Sequence, residues 1–262
     1  MRALHTAATG MAAQELNVQV ISNNIANMRT TGYKKQSAQF QDLIYQQVRR
    51  VGAQASEQGT ILPVGVEIGG GVKTSGTARV MTQGTLAPTG KELDVAIRGE
   101  GFFKIQMPDG SYAYTRDGSF QMDAQGRIVN LQGNPVQPTI TIPANASGLT
   151  ISQQGQVSVT LPGSTTPTTL GQITLTRFIN KGGLQSVGDN LFIETPASGT
   201  PQDGTPNAEG LGDLQQANLE QANVEAVSEI SDLIAAQRAY EMNAKVVTAA
   251  DQMLQSTSGM FR

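Results

Sequence analysis

The side chains able to do chemistry are few in this sequence, and they are poorly placed for it. His5 is the one histidine in 262 residues, and there is no cysteine. A metal site built on histidine needs further ligands, and His5 sits instead in an amphipathic N-terminal stretch between Leu4 and Met11. Gly99-Glu100-Gly101-Phe102-Phe103 has the outline of a phosphate-binding glycine loop. The full fingerprints need a third glycine at the right spacing, or Gly-Lys-Ser/Thr, and a helix immediately after. A strand-like run follows here, so a tight turn or bulge in a sheet is expected. Asp109-Gly110, Asp117-Gly118 and Asp123 supply carboxylates. Asp-Gly is, however, the preferred hairpin pair, and no twelve-residue calcium loop surrounds them. Serine and threonine are plentiful without a Gly-x-Ser-x-Gly elbow. The expectation is therefore a chain that is not an enzyme, with no catalytic, metal or cofactor-binding residues.

Composition narrows the partners. A pI near 5.2 and a net charge of −3 leave no electrostatic footprint for nucleic acid. No run approaches the roughly 18 consecutive apolar residues of a membrane helix, so a membrane-spanning chain is not expected. The first 28 residues lack the uninterrupted apolar core of a cleavable secretory signal, because Gln14, Glu15, Asn17 and Gln19 break it. Hydrophobic residues make up 38% and charged residues 15%; both are low for a compact domain and suit short strands, many turns and modest cores. Charge is uneven. Residues 1–50 carry Arg2, Arg29, Lys34, Lys35, Arg49 and Arg50 against Glu15 and Asp42, whereas residues 213–262 are mainly acidic. Ordinary solvated faces, or ends that attract one another, both account for this.

The elements that would position these residues divide into helical ends and a strand-rich middle. Leu4, Met11, Val18 and Ile25 are spaced by seven, with Ala7, Gln14, Ile21 and Met28 as a companion set. Leu219, Ala226, Leu233, Tyr240, Val247 and Leu254 repeat the spacing, with Ile230 and Ala244 on the companion position beside Asn223, Gln237 and Asp251. No Gly or Pro falls between Leu214 and Ser258, so a helix of about forty residues is expected, far beyond the globular mean of roughly 11–12. Polar companions make such a seam marginal alone, and assembly with other copies or an intramolecular helical hairpin would each complete it. Residues 29–92 read as an extended connector with some β character. From Leu93, runs of alternating residues separated by turn pairs recur about every ten residues: 102–106, 112–116, 119–122 and 127–129, continuing through Ile140, Ile142, Ile151, Val157 and Val159 to 173–178 and 191–194. Residues 195–212 read as a Pro/Gly/Ser-rich linker. The expected class is α+β: long, coiled-coil-like terminal helices (1–28 pairing with 213–262) flanking an inserted, mainly antiparallel β domain with its linker (93–212).

Short runs carry a further signal. Ser22-Asn23-Asn24-Ile25-Ala26-Asn27 and Thr31-Gly32-Tyr33-Lys34 resemble the N-terminal motif of the flagellar basal-body rod and hook family. Ala222-Asn223-Val224-Glu225, Ile230-Ser231-Asp232-Leu233-Ile234 and Gln237-Arg238-Ala239-Tyr240-Glu241-Met242-Asn243 are similar to its C-terminal motif. Val95 through Gly99, Gly101, Phe102 and Phe103, with Tyr114-Thr115-Arg116-Asp117-Gly118-Ser119-Phe120, resemble its β-domain signature. The length, and a connector core at Gly52-Ala53-Gln54-Ala55-Ser56-Glu57-Gln58, resemble the distal-rod branch more than the proximal rod or the longer hook members. The resemblance implies a homo-oligomer: a helical tube across the periplasm, exported without a cleaved signal by the flagellar type III export apparatus. It implies torque transmission around an enclosed export channel. The implied partners are proximal rod and hook proteins and the surrounding peptidoglycan and outer-membrane ring proteins, with no cofactor. The heptad residues would then be buried against neighbouring helices. A tethered β ligand-binding module is the rival reading.

Overall fold

The computed structural model of the chain describes residues 2–50, 64–162 and 166–260, leaving aside the side chains of 257–260. It is α+β: two helices, near the N and C termini, flank many antiparallel strands. The chain gathers into two units. The first takes residues up to Ile25, Gln36–Ala78 and everything from Ala226; the second takes Ala26–Lys35 and Arg79–Glu225.

In the first unit, α1 (Arg2–Ala26) and α2 (Ala226–Met260) run for 25 and 35 residues. Contacts at two points show how they meet. A Cβ placed on Gly10 would come within 2.9 Å of the Asn243 side-chain amide. The buried Asn24 donates from Nδ2 to Glu229 Oε2 at 3.1 Å. Since Gly10 meets Asn243 while the later Asn24 meets the earlier Glu229, the helices run antiparallel. Asn24 also exchanges two 2.9 Å hydrogen bonds with the backbone of Gln36, as a neighbouring strand would. This docks the strand Gln36–Asp42, which pairs with Val72–Arg79, while Gln46–Arg49 pairs with Val66–Ile68. The expected connector is thus strand-forming along much of its described length.

The second unit holds the main core. Val136–Gln137, Phe103–Gln106, Tyr112–Thr115, Leu191–Ile193 and Gln185–Gly188 form a five-stranded antiparallel sheet in that order. Gly148–Ile151, Gln156–Thr160 and Thr168–Gln172 form a three-stranded one. Alternation places Phe103 and Ile105 inward; with Val95, Ile97, Ala113, Val157, Leu175 and Leu214 they build one contiguous apolar cluster. Asp109-Gly110 turns the hairpin between Phe103–Gln106 and Tyr112–Thr115, with Gly110 at φ +85°.

Three expectations about extent need correction. The helix expected over 213–262 begins only at Ala226; Asp213–Gln216 and Asn218–Glu220 are short strands paired with Val95–Arg98 and Leu86–Pro88. Leu219 therefore lies on a strand, where it pairs with Ala87 in the ladder to Leu86–Pro88. Asp117-Gly118 does not close a hairpin: Gln121–Met122 pairs with Ile128–Val129, and Gly118 accepts from Val95 N at 3.0 Å. A Cβ on Gly118 would lie 1.7 Å from the Val95 carbonyl oxygen, so this glycine permits close backbone approach. Lastly, the expected linker contains Gln202–Gly204, a strand on Leu175–Arg177.

Candidate functional site

The most unusual chemistry is a buried cluster of three charged side chains from distant parts of the second unit. Glu220, Lys34 and Arg116 have side chains 0%, 1% and 5% exposed. Lys34 follows the turn in which Gly32 takes φ +66°. Glu220 ends the strand on Leu86–Pro88, and Arg116 follows the strand Tyr112–Thr115.

Lys34 Nζ donates to Glu220 Oε1 at 2.5 Å and to the Thr82 carbonyl at 2.8 Å. Arg116 Nε lies 2.9 Å from Glu220 Oε2; this is an ion pair whose alignment falls short of a hydrogen bond. Glu220 Oε1 also accepts from Gly84 N at 2.9 Å. Arg116 Nη1 donates to the carbonyls of Gly99 (2.9 Å) and Gly101 (2.7 Å), and its guanidinium stands 5.9 Å from the centre of the Phe102 ring. The Gly99–Gly101 turn thus presents carbonyls to a cation, the opposite polarity from a phosphate cradle. Two cations share one buried carboxylate. Burial pushes the Lys34 ammonium below its ordinary value, opposed by Glu220 and reinforced by Arg116.

Backbone contacts tighten the same junction. Gly32 N donates to the Glu220 carbonyl at 2.8 Å, and a Cβ on Gly32 would come within 2.8 Å of the Arg116 and Asp117 backbone. Asn223 accepts from Lys35 N at 2.7 Å and donates to the carbonyls of Val80 (2.8 Å) and Thr82 (3.1 Å). The chemistry of this junction is structural: it binds three chain segments into one unit.

The residues singled out from sequence distribute as follows. Gly32, Gly101, Phe102, Phe103, Arg116, Gly118 and Phe120 are buried at or near this junction and its core; Gly99 is exposed in the turn that Arg116 holds. Asn24 is buried, Asn27 half-buried and Asn23 exposed. On α1, Ile21 is buried and Leu4, Met11, Val18 and Ile25 half-buried. On α2, Ala226, Leu233 and Val247 are half-buried, while Ile230, Gln237, Arg238, Tyr240 and Leu254 are exposed. The most covered α2 positions are Glu229, Ala236 and Ala250, with Asn243 half-buried. They keep the seven-residue spacing one position earlier than the expected companion set. Small or polar residues occupy the place where the two helix backbones approach. Along the sequence Glu220 was legible only as a member of an acidic end, and Lys34 only as a member of a basic end and the last residue of the Thr31–Lys34 motif. Among the described residues, no cluster of three or more His, Cys, Asp or Glu could hold a metal ion, and no helix is long and apolar enough to cross a membrane. The connector core at Gly52–Gln58 lies outside the described residues.

Three family models match in chain order: "Flagella basal body rod protein" over residues 4–34, "Flagellar hook protein FlgE/F/G D1 domain" over 96–159, and "Flagellar basal body rod FlgEFG protein C-terminal" over 215–260. The buried cluster draws one charge from each. Whole-chain relatives include the flagellar basal-body rod proteins FlgG of Caulobacter vibrioides (56% identical over 258 residues, 98% of each chain), Borreliella burgdorferi (47% over 264 residues, 100% of this chain and 99% of the relative) and Bacillus subtilis (34% over 267 residues, 100% of each).

Proposed function

The chain belongs to the flagellar basal-body rod family, as a structural subunit of the distal rod, and on that premise we propose that its copies assemble through their helices into a helical tube. The observation that carries this is the exposed face of α2. Val227 (74% exposed), Ile230 (49%), Ile234, Met242 and Met253 leave apolar surface in water along its length. Burying a large apolar side chain contributes roughly 1.5–3 kcal/mol, so covering this face in neighbouring copies supplies a large driving force. A contact that does not close into a ring propagates as an open helical assembly. In this reading the tube transmits torque and encloses the export channel, and the subunit reaches the periplasm through the type III apparatus without a cleaved signal. Proximal rod and hook proteins join its ends, and ring proteins surround it.

The test is electron microscopy of the concentrated protein beside Ile230→Asp. Ile230 is exposed in the single chain, so the variant should keep its far-ultraviolet circular dichroism while tubes disappear. Tubes that persist unchanged in the variant would show that this face is not the contact.

A further inference from the structure

Residues 213–223 complete the second unit from the far end of its sequence. Asp213–Gln216 is the ladder partner of Val95–Arg98, fastened by a two-pronged contact of Arg98 with Asp213 at 2.9 and 2.6 Å. Leu214 enters the same apolar cluster as Val95, Ile97, Phe103, Ile105 and Ala113. Ala217 N donates to the Asp94 carbonyl at 2.7 Å. Asn218–Glu220 is the ladder partner of Leu86–Pro88. Glu220 brings the carboxylate that faces Lys34 and Arg116, and Asn223 serves Lys35, Val80 and Thr82.

Without this segment, two cations would be buried with no carboxylate between them, the Val95–Arg98 and Leu86–Pro88 ladders would lose their partners, and the core would lack Leu214. An uncompensated buried charge is among the costliest defects a fold can carry. The rest of the unit cannot hold its packed state under that load, because the cluster that contains Leu214 is the one on which the five-stranded sheet is built. We infer that residues 213–223 act as a C-terminal latch: residues 26–35 and 79–212 stay open until the latch docks, and then close with it in one step. A chain emerging N-terminus first therefore keeps this unit open until residue 223 is free.

Native-state hydrogen exchange on the full-length chain, read by mass spectrometry across a denaturant series, tests this. The amides of Phe103–Gln106 and Tyr112–Thr115 should open together with those of Asp213–Gln216, with one denaturant dependence. Glu220→Ala should lower protection at all three by the same factor, about a hundredfold or more; Glu220→Gln, which keeps the shape, should lower them by an equal but smaller factor. Should the alanine variant not fold, the wild-type pattern and the glutamine variant decide. The latch is overturned if 213–216 opens separately in the wild type, or if Glu220→Gln loses protection there while the five-stranded sheet keeps its own.

Discussion

Glu220 is outnumbered by its partners, and that asymmetry governs what substitutions do. Removing it leaves Lys34 and Arg116 buried together; removing Lys34 leaves one cation on one carboxylate. Removing one partner of a buried pair costs about 3–5 kcal/mol because it leaves a charge uncompensated; loss of Glu220 strands two cations, whereas after loss of Lys34 the Glu220 carboxylate still faces Arg116. We therefore expect Glu220→Ala to cost about 3–5 kcal/mol of the second unit's stability and Lys34→Met to cost less than that, measured as shifts in denaturant midpoint. The pH response follows from two groups. Lys34 holds its proton less tightly in the fold than its ordinary value of 10.5, so the unfolded chain binds more protons below pH 10.5 and stability rises with pH toward it. Tyr114 is pushed up to about 12, chiefly by burial. The unfolded chain loses that proton first, so stability falls from about pH 10 to 12. Denaturation midpoints across this range should lose the rise in Lys34→Met and the fall in Tyr114→Phe.

At the scale of elements, α1 and α2 touch through small and polar side chains. Gly10 is costly in a helix interior, by about 1 kcal/mol against alanine, yet it stands where Asn243 fills the space a side chain would take. Gly10→Ala should be close to neutral, since the gain in helix propensity offsets a small displacement of the flexible Asn243 amide. Gly10→Leu should separate the helices and lower the ellipticity at 222 nm, because no rotation of one amide makes room for a branched side chain. The glycine at Gly32 is stricter. It combines φ +66° with backbone, rather than a movable side chain, at 2.8 Å, so even Gly32→Ala should cost about 1–3 kcal/mol.

For the whole molecule, the two units differ in what they bury. The second packs large side chains, among them Phe103, Phe178, Ile97 and Leu175, at 2% exposure or less. The helices bury chiefly Ala7, Ala13, Val20 and Ile21 on one side and Ala236 and Ala250 on the other. Apolar area sets the larger part of stability, so the dilute subunit should unfold in two steps. Helical ellipticity should fall at the lower denaturant concentration. Near-ultraviolet dichroism, dominated by the second unit's Tyr114, Phe102, Phe103, Phe178 and Phe192, should fall at the higher. One shared transition would mean the helices draw their stability from the same cooperative core.

The sequence by itself determined the elements whose cause is local. Helical ends with a seven-residue apolar spacing and no Pro, strands that alternate every two residues and the Asp109-Gly110 hairpin follow from periodicity and turn chemistry, and the short motifs identified the family. Tertiary structure decided everything that depends on meeting at a distance. Leu219 satisfies a seven-residue spacing and a two-residue one equally well, and only the Leu86–Pro88 strand chooses between them. The heptad spacing on α2 was legible, but which of its positions face α1 was not, because that face is set by where Gly10 and Asn24 lie. Read along the chain, Lys34 and Arg116 stand in separate motifs and Glu220 in an acidic end, with nothing that links the three. They become one buried cluster because three remote segments fold to the same point, and no local pattern records a contact between residues that far apart in sequence.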